Sequence, residues 1–338
     1  MPVTSTNISP SAQESNLILV TGATGLVGSN AALLARERGL RVRALVRTTC
    51  NLDPLTSRNI EIVQGDVTDP SSLDRAMRDV TGVIHSAALL GGTWSNHAAD
   101  AFWQVNHQGT MNVLDAARIA GVAKCVVIDT HAIHDPSITH TERSPVVLMD
   151  EPDSPYLCSK RAAHYGALYR ASLGQHICLV TPGEIYGPSV FVQRAQDPTS
   201  FTSTLLKGIR GEIDQFVGFP MFWTFAPDVA EICLRALERG ERGRCYLAMG
   251  NDQDAGSLAD FCNHGAALAG SPHRVKELKL DDKNAPEMGT LRRYAERIYA
   301  KPYVDNRRTT VALGFSPTPR AQGLAKTIVW ARASGLLA

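Results

Sequence analysis

Between Leu17 and Thr181, short runs of apolar residues alternate with stretches in which apolar positions recur at helical spacing. The runs predict strands at 17–21, 42–46, 61–64, 82–86, 124–129 and 176–181. Their apolar positions are nearly continuous, as in strands covered on both faces. The intervening stretches predict helices, most clearly at 26–38, closed by Gly39, and at 98–120, closed by Gly121; glycine tolerates the left-handed turn that follows a helix. Strand, helix, strand units joined by right-handed crossovers give an α/β fold, a doubly wound parallel sheet with helices on both faces. Past Gly183 the pattern loosens into Pro and aromatic residues, followed by a helix near 228–239, a strand at 245–249 and a helix from Leu258. That tail predicts a smaller C-terminal α/β lobe.

Composition narrows the class. The chain of 338 residues carries 34 Lys and Arg against 33 Asp and Glu, a net charge of +1, with no block of like charges. A basic nucleic-acid surface is excluded as an expectation on that balance. Residues 1–16 lack a basic and an apolar secretory segment, so a cytoplasmic protein is expected. The uncharged stretch 15–35 is interrupted by Thr21, Gly22, Thr24, Gly25, Gly28, Ser29 and Asn30 and does not suit a membrane. Seven scattered cysteines show neither a CxxC pair nor zinc spacing, which predicts reduced thiols and no metal site.

The first strand runs directly into Thr21-Gly22-Ala23-Thr24-Gly25-Leu26-Val27-Gly28, and a helix follows. Gly22 suits a tight turn, Gly25 a close approach of backbone to pyrophosphate, and Gly28 close packing of helix on strand, with phosphate at the helix N-terminus. In an alternating chain this reads as a dinucleotide loop, with Gly22, Thr24, Gly25, Leu26, Val27 and Gly28 as contacts. At the end of the second strand stand Arg47 and Thr48, and no carboxylate follows until Asp53. An acid there would hold the 2'-hydroxyl of NAD, whereas a guanidinium pairs with a 2'-phosphate, so NADP(H) is expected over NAD(H). The expected division is a flexible segment at 1–16, a Rossmann domain at 17–182, and a mainly substrate-binding lobe at 183–338 that returns some segments to the first domain.

Tyr156 and Lys160 stand four apart, on one face of a helix that Pro155 can start. A free phenol is too weak an acid for proton transfer near neutrality, and a neighbouring ammonium favours the phenolate. The pair therefore predicts general acid/base chemistry by Tyr156, assisted by Lys160.

With these motifs the chain resembles the extended short-chain dehydrogenase/reductase family, part of the NAD-dependent epimerase/dehydratase superfamily. The likeness runs from Leu17 to Leu337. It includes Gly65-Asp66-Val67, which the resemblance places at adenine, and His85-Ser86-Ala87-Ala88 after the fourth strand. Asn106 heads a VNxxGTxN stretch, and Pro182-Gly183-Glu184-Ile185-Tyr186-Gly187-Pro188 resembles the family's segment near the nicotinamide, with Thr181 in place of its usual Arg. Leu313-Gly314-Phe315-Ser316-Pro317 and the helix after it are similar to dihydroflavonol-reductase-like and 3β-hydroxysteroid-dehydrogenase-like members. The resemblance adds Asp66, Val67, Ser86, Ala87, Ala88, Pro182 and Ile185, with Tyr156 and Lys160, to the cofactor contacts, and gives Asn106 a positioning role. One position departs: where the family has an oxygen-binding serine, His131 stands 25 residues before Tyr156, with Thr130 beside it. Both remain candidates for the substrate oxygen.

The resemblance implies hydride transfer from NADPH to the carbonyl of a small ketone or aldehyde, reversibly, with Tyr156 as acid. Substrate contacts are expected from Leu90, Trp94, Glu184, Tyr186 and Phe222. The rings of Phe216, Phe219, Phe222, Trp223 and Phe225 would suit an apolar or aromatic substrate, although core packing is the more frequent explanation of such a run. A sugar-nucleotide epimerase or dehydratase with retained NAD is the alternative, for which Arg194, Lys207 and Arg210 offer pyrophosphate cations. A non-catalytic NADP-binding regulator is a second. A homodimer is an expectation of the resemblance alone.

Overall fold

The computed structural model describes residues 16–47, 51–91, 97–147, 154–250, 255–283, 295–296 and 304–338. Its centre is a seven-stranded sheet of β1 (Leu17–Thr21), β2 (Arg41–Val46), β3 (Glu61–Gln64), β4 (Val80–His85), β5 (Lys124–Ile128), β6 (Ile177–Thr181) and β10 (Cys245–Leu247). The order is β3-β2-β1-β4-β5-β6-β10, and every pair is parallel. All five β1 residues are buried, as strands sandwiched between helices must be. The order reverses direction between β1 and β4, and such a switch opens a crevice at the carboxyl ends of the strands.

Two helical layers close the sheet. One face packs on α1 (Leu26–Glu37) and α6 (Ala226–Arg239), through Ala31, Ala32, Ala35, Val229 and Ala230. The other packs on α2 (Pro70–Ala76), α3 (Gly109–Ile119) and α4 (Pro155–Ser172), through Leu73, Met111, Leu114 and Ala167. The expected helix at 98–120 is interrupted: a turn at Ala99–Phe102 leads into a π-helical segment, Trp103–Gln108, before α3 begins. Such wide turns re-aim side chains and recur at functional sites; this one carries Asn106.

The second lobe is built from β7 (Glu184–Tyr186), α5 (Phe201–Arg210), β8 (Gln215–Val217), β9 (Trp223–Phe225), α7 (Leu258–Leu268), β11 (Lys276–Leu278), α8 (Arg307–Leu313) and α9 (Arg320–Ala333). Its core gathers Tyr186, Trp223, Phe225, Phe261, Leu324 and Ile328. The Trp223 and Phe261 rings stack at 3.7 Å. Among the described residues no helix is long and apolar enough to cross a membrane.

Candidate functional site

The site assembles at the carboxyl ends of β1, β4, β5 and β6. After β1, Gly22 takes φ +67°, and a Cβ there would lie 2.7 Å from the backbone nitrogen of Ala87 in the turn after β4. A Cβ on Gly28 would lie 2.2 Å from the Gly22 carbonyl oxygen. The two turns are thus wound against each other at van der Waals limits, which only glycine permits. Gly25 caps α1 with no side-chain hydrogen bond and no acid in the first turn, so the helix start presents backbone N–H groups suited to a phosphate. These features fit a dinucleotide. Ser86 donates to the Thr21 carbonyl at 2.9 Å and Asn112 to the Val67 carbonyl at 3.0 Å, fixing the two turns that flank the cradle. Asp66 accepts from the Thr68 amide and hydroxyl, which shapes its own loop. Arg47 is exposed at the end of β2, while Arg43 is spent structurally on Glu61 and the Ala76 and Arg78 carbonyls.

The candidate acid/base residues lie where α4 docks on the end of β5. Ser154 caps the helix by accepting from the Leu157 amide at 3.2 Å, with Pro155 in the first position. Tyr156, Lys160 and His164 follow at four-residue steps and meet three successive groups of the strand end. The Thr130 hydroxyl hydrogen-bonds the Tyr156 phenol. Lys160 Nζ donates to the Ile128 carbonyl at 2.7 Å, and His164 Nδ1 meets Asp129 Oδ2 at 2.6 Å. Burial pushes the Tyr156 phenol up to about 12; the Thr130 hydrogen bond opposes this and the Asp129 carboxylate adds to it. The expected lowering of this phenol by Lys160 is therefore corrected: in the free protein the ammonium is turned to a backbone carbonyl, and the phenol holds its proton. Burial lowers Lys160 itself, with Asp129 acting against that. Burial raises the Asp129 carboxyl, but His164, Lys160 and His134 together bring it below its ordinary value, so it is anionic.

Asn106, 1% exposed, ties these parts together. Its side chain accepts from the Leu89 amide at 2.7 Å and donates to the Leu89 carbonyl and the Ser159 hydroxyl, both at 3.1 Å. A buried relay reaches it from the glycine loop: Thr21 and His85 Nδ1 at 2.7 Å, His85 Nε2 and Thr110 at 2.9 Å, then Thr110 to the Asn106 carbonyl at 2.6 Å. That last acceptor and the Ala87 amide that donates to Thr21 give the relay one direction. It requires the His85 proton on Nε2. Burial, reinforced by Lys160, drops His85 to about 3, so it is neutral.

Of the two candidates for the serine's place, Thr130 meets Tyr156. His131 turns away: its Nε2 donates to Glu184 Oε1 at 2.9 Å, and its ring lies edge to face with Phe222. Glu184 also accepts from the Phe222 amide at 2.6 Å, joining β7 to β9. Thr130 caps the single helical turn His131–Ile133, which rotates the strand end and decides between them. Gly91 backs Tyr156, where a Cβ would lie 2.5 Å from that side chain. Leu90 beside it is exposed, and Trp94 lies outside the described residues. Tyr186 is corrected as a substrate contact: it is 1% exposed among Phe225 and Phe261, its hydroxyl donating to the Arg320 carbonyl. Trp223 and Phe225 share that core, so the aromatic run is mainly packing. Sequence reasoning passed over Asp129 and His164, although the continuation of the Tyr156, Lys160 spacing to His164 was available as a signal.

A sequence model of the NAD dependent epimerase/dehydratase family matches residues 18–248. The chain is 27% identical to sterol demethylase protein B of Methylococcus capsulatus, over 94% of this chain and 99% of that protein. It is 30% identical to a putative dihydroflavonol 4-reductase of Synechocystis, over 75% of this chain and 72% of the other. A nucleoside-diphosphate-sugar epimerase of Pseudomonas aeruginosa has the same fold, with a TM-score of 0.76 at 24% identity over 96% of this chain and 99% of that one.

Proposed function

The chain belongs to the NAD dependent epimerase/dehydratase family of NAD(P)-dependent enzymes, and we propose that it is an NADPH-dependent reductase of a small apolar or aromatic ketone or aldehyde. The observation that carries this reading is the contact of the Tyr156 phenol with the Thr130 hydroxyl at the end of β5, with Lys160 one turn further along the same helix. The nicotinamide would supply the hydride. The protein's part is then to place the carbonyl oxygen between the Thr130 hydroxyl and the Tyr156 phenol, and to deliver the phenol proton as charge grows on that oxygen. Lys160 would leave the Ile128 carbonyl for the cofactor ribose and so stand nearer the phenolate it must stabilise. Asn106 holds the Leu89 turn against α4, fixing the distance between cofactor cradle and acid. Arg47, with no carboxylate beside it on β2, supports a 2'-phosphate and hence NADP(H). His131, through Glu184 and Phe222, shapes the wall facing the substrate.

The sugar-nucleotide reading keeps the support of the epimerase-like fold, but two of its three candidate cations are already paired. Arg194 meets Asp197 at 3.2 Å and Arg210 meets Glu212 at 2.5 Å. A second copy of the chain is proposed to cover α4, where Tyr165, Tyr169 and Leu173 form an exposed apolar stripe at four-residue spacing; sedimentation would show a dimer. The cytoplasm is the proposed location.

Calorimetric titration with NADPH and with NADH, after a check for co-purified nucleotide, tests the main reading. Preferential NADPH binding that is lost in Arg47→Ala supports it. Tightly retained NAD would move the assignment to sugar nucleotides.

A further inference from the structure

We infer that Asp129, His134 and His164 form a buried binding site for one divalent transition-metal ion of the zinc type. This does not depend on the reductase reading. The three residues each offer a donor atom, and these atoms lie within 4.8 Å of one another. All three are nearly inaccessible, at 5, 6 and 5% exposure. Two imidazoles and one carboxylate form a borderline donor set, suited to Zn(II), Co(II) or Ni(II) and poor for Mg(II) or Ca(II), which prefer oxygen throughout.

A further observation points to a ligand. His134 Nδ1 lies 2.9 Å from the Ser144 carbonyl oxygen. A carbonyl only accepts, so Nδ1 carries the proton and Nε2 presents its lone pair, the arrangement that outer hydrogen bonds impose on metal-binding histidines. In the free protein the place of an ion between Asp129 and His164 is held by a hydrogen, at 2.6 Å. Metal entry would exchange it: the proton leaves His164 Nδ1, the lone pair it frees forms the new bond, and Nε2 carries the ring's remaining proton. The Lys160 ammonium already acts electrostatically on the same carboxylate, so the site suits a reversibly bound ion better than a permanent one.

The test uses the full chain without a histidine tag, on a Cys158→Ser background that removes an exposed thiol, stripped with chelator and titrated with Co(II). The expected result is one equivalent bound, with visible absorption of a low-coordinate site that Zn(II) abolishes. Affinity should fall at least about tenfold, the scale of lost metal contacts, in His134→Gln and in the near-isosteric Asp129→Asn. It should be unchanged in His273→Ala, an exposed control. Circular dichroism of each variant separates loss of the site from loss of the fold. Absence of stoichiometric binding, or binding that survives both substitutions in folded protein, overturns the inference.

Discussion

The end of β5 and the core of the second lobe are held by opposite means. At β5 the contacts to α4 are polar and directional: Thr130 to Tyr156, the Ile128 carbonyl to Lys160, Asp129 to His164. In the lobe, Tyr186, Trp223, Phe225 and Phe261 meet ring to ring, with the Trp223 indole N–H and the Tyr186 hydroxyl donating to the Gly256 and Arg320 carbonyls at the edge of the cluster. Apolar packing tolerates rearrangement at modest cost, whereas a buried polar group left unpaired bears its full desolvation penalty. The first region therefore fixes the candidate acid/base groups in place, and the second supplies stability to which they are attached.

Substitutions in the two regions should separate these roles. The largest effect on stability is expected from Trp223→Ala, about 3–5 kcal/mol for a deleted buried aromatic. Denaturant unfolding would show it, with turnover of the folded fraction close to normal. Asn106→Ala removes one side chain but leaves the Leu89 amide and carbonyl and the Ser159 hydroxyl short of a partner. It should cost about 1–3 kcal/mol and, unlike the lobe variant, lower kcat as well. Thr130→Ala removes a hydrogen bond that lowers the Tyr156 phenol. Oxidation of an alcohol, which needs the phenolate, should then require higher pH, and the alkaline loss of reduction should also move upward. A pH profile with unchanged limbs would place Thr130 outside proton transfer.

The effect that is smallest near neutral pH, and appears only on acidification, concerns His85, whose folded value of about 3 lies below its ordinary 6.5. The unfolded chain takes the proton first, so this contribution is complete above pH 6.5 and is lost as pH falls toward 3. His85→Gln cannot titrate, and its unfolding free energy should vary less over that window.

The same contrast explains what the sequence disclosed. The glycine loop and the Tyr156, Lys160 pair are local patterns, spaced by one turn or one helix repeat, and each could be read without knowing the fold. The parallel sheet was equally legible, because strands buried on both faces leave continuous apolar runs such as Leu17–Thr21. Whether Thr130 or His131 meets the phenol was not legible, since it depends on the rotation of one helical turn and on Glu184, brought close only when β7 pairs with β9. Tyr186 misled for the same reason: its motif follows β6 closely, but β7 leaves the main sheet and delivers the ring to the second core. The break in the helix around Asn106 had no signal in spacing or composition.

The central claim is that Tyr156 gives up its proton to a carbonyl oxygen while a nicotinamide bound at the glycine loop is oxidised. Its most direct test is to follow NADPH absorbance with a panel of apolar ketones and aldehydes, comparing wild type with Tyr156→Phe. The account predicts turnover by wild type and a loss of roughly 10²–10⁴-fold in the variant, the usual share of general acid catalysis, with NADPH affinity and melting temperature unchanged. Equal turnover by the two proteins would contradict it.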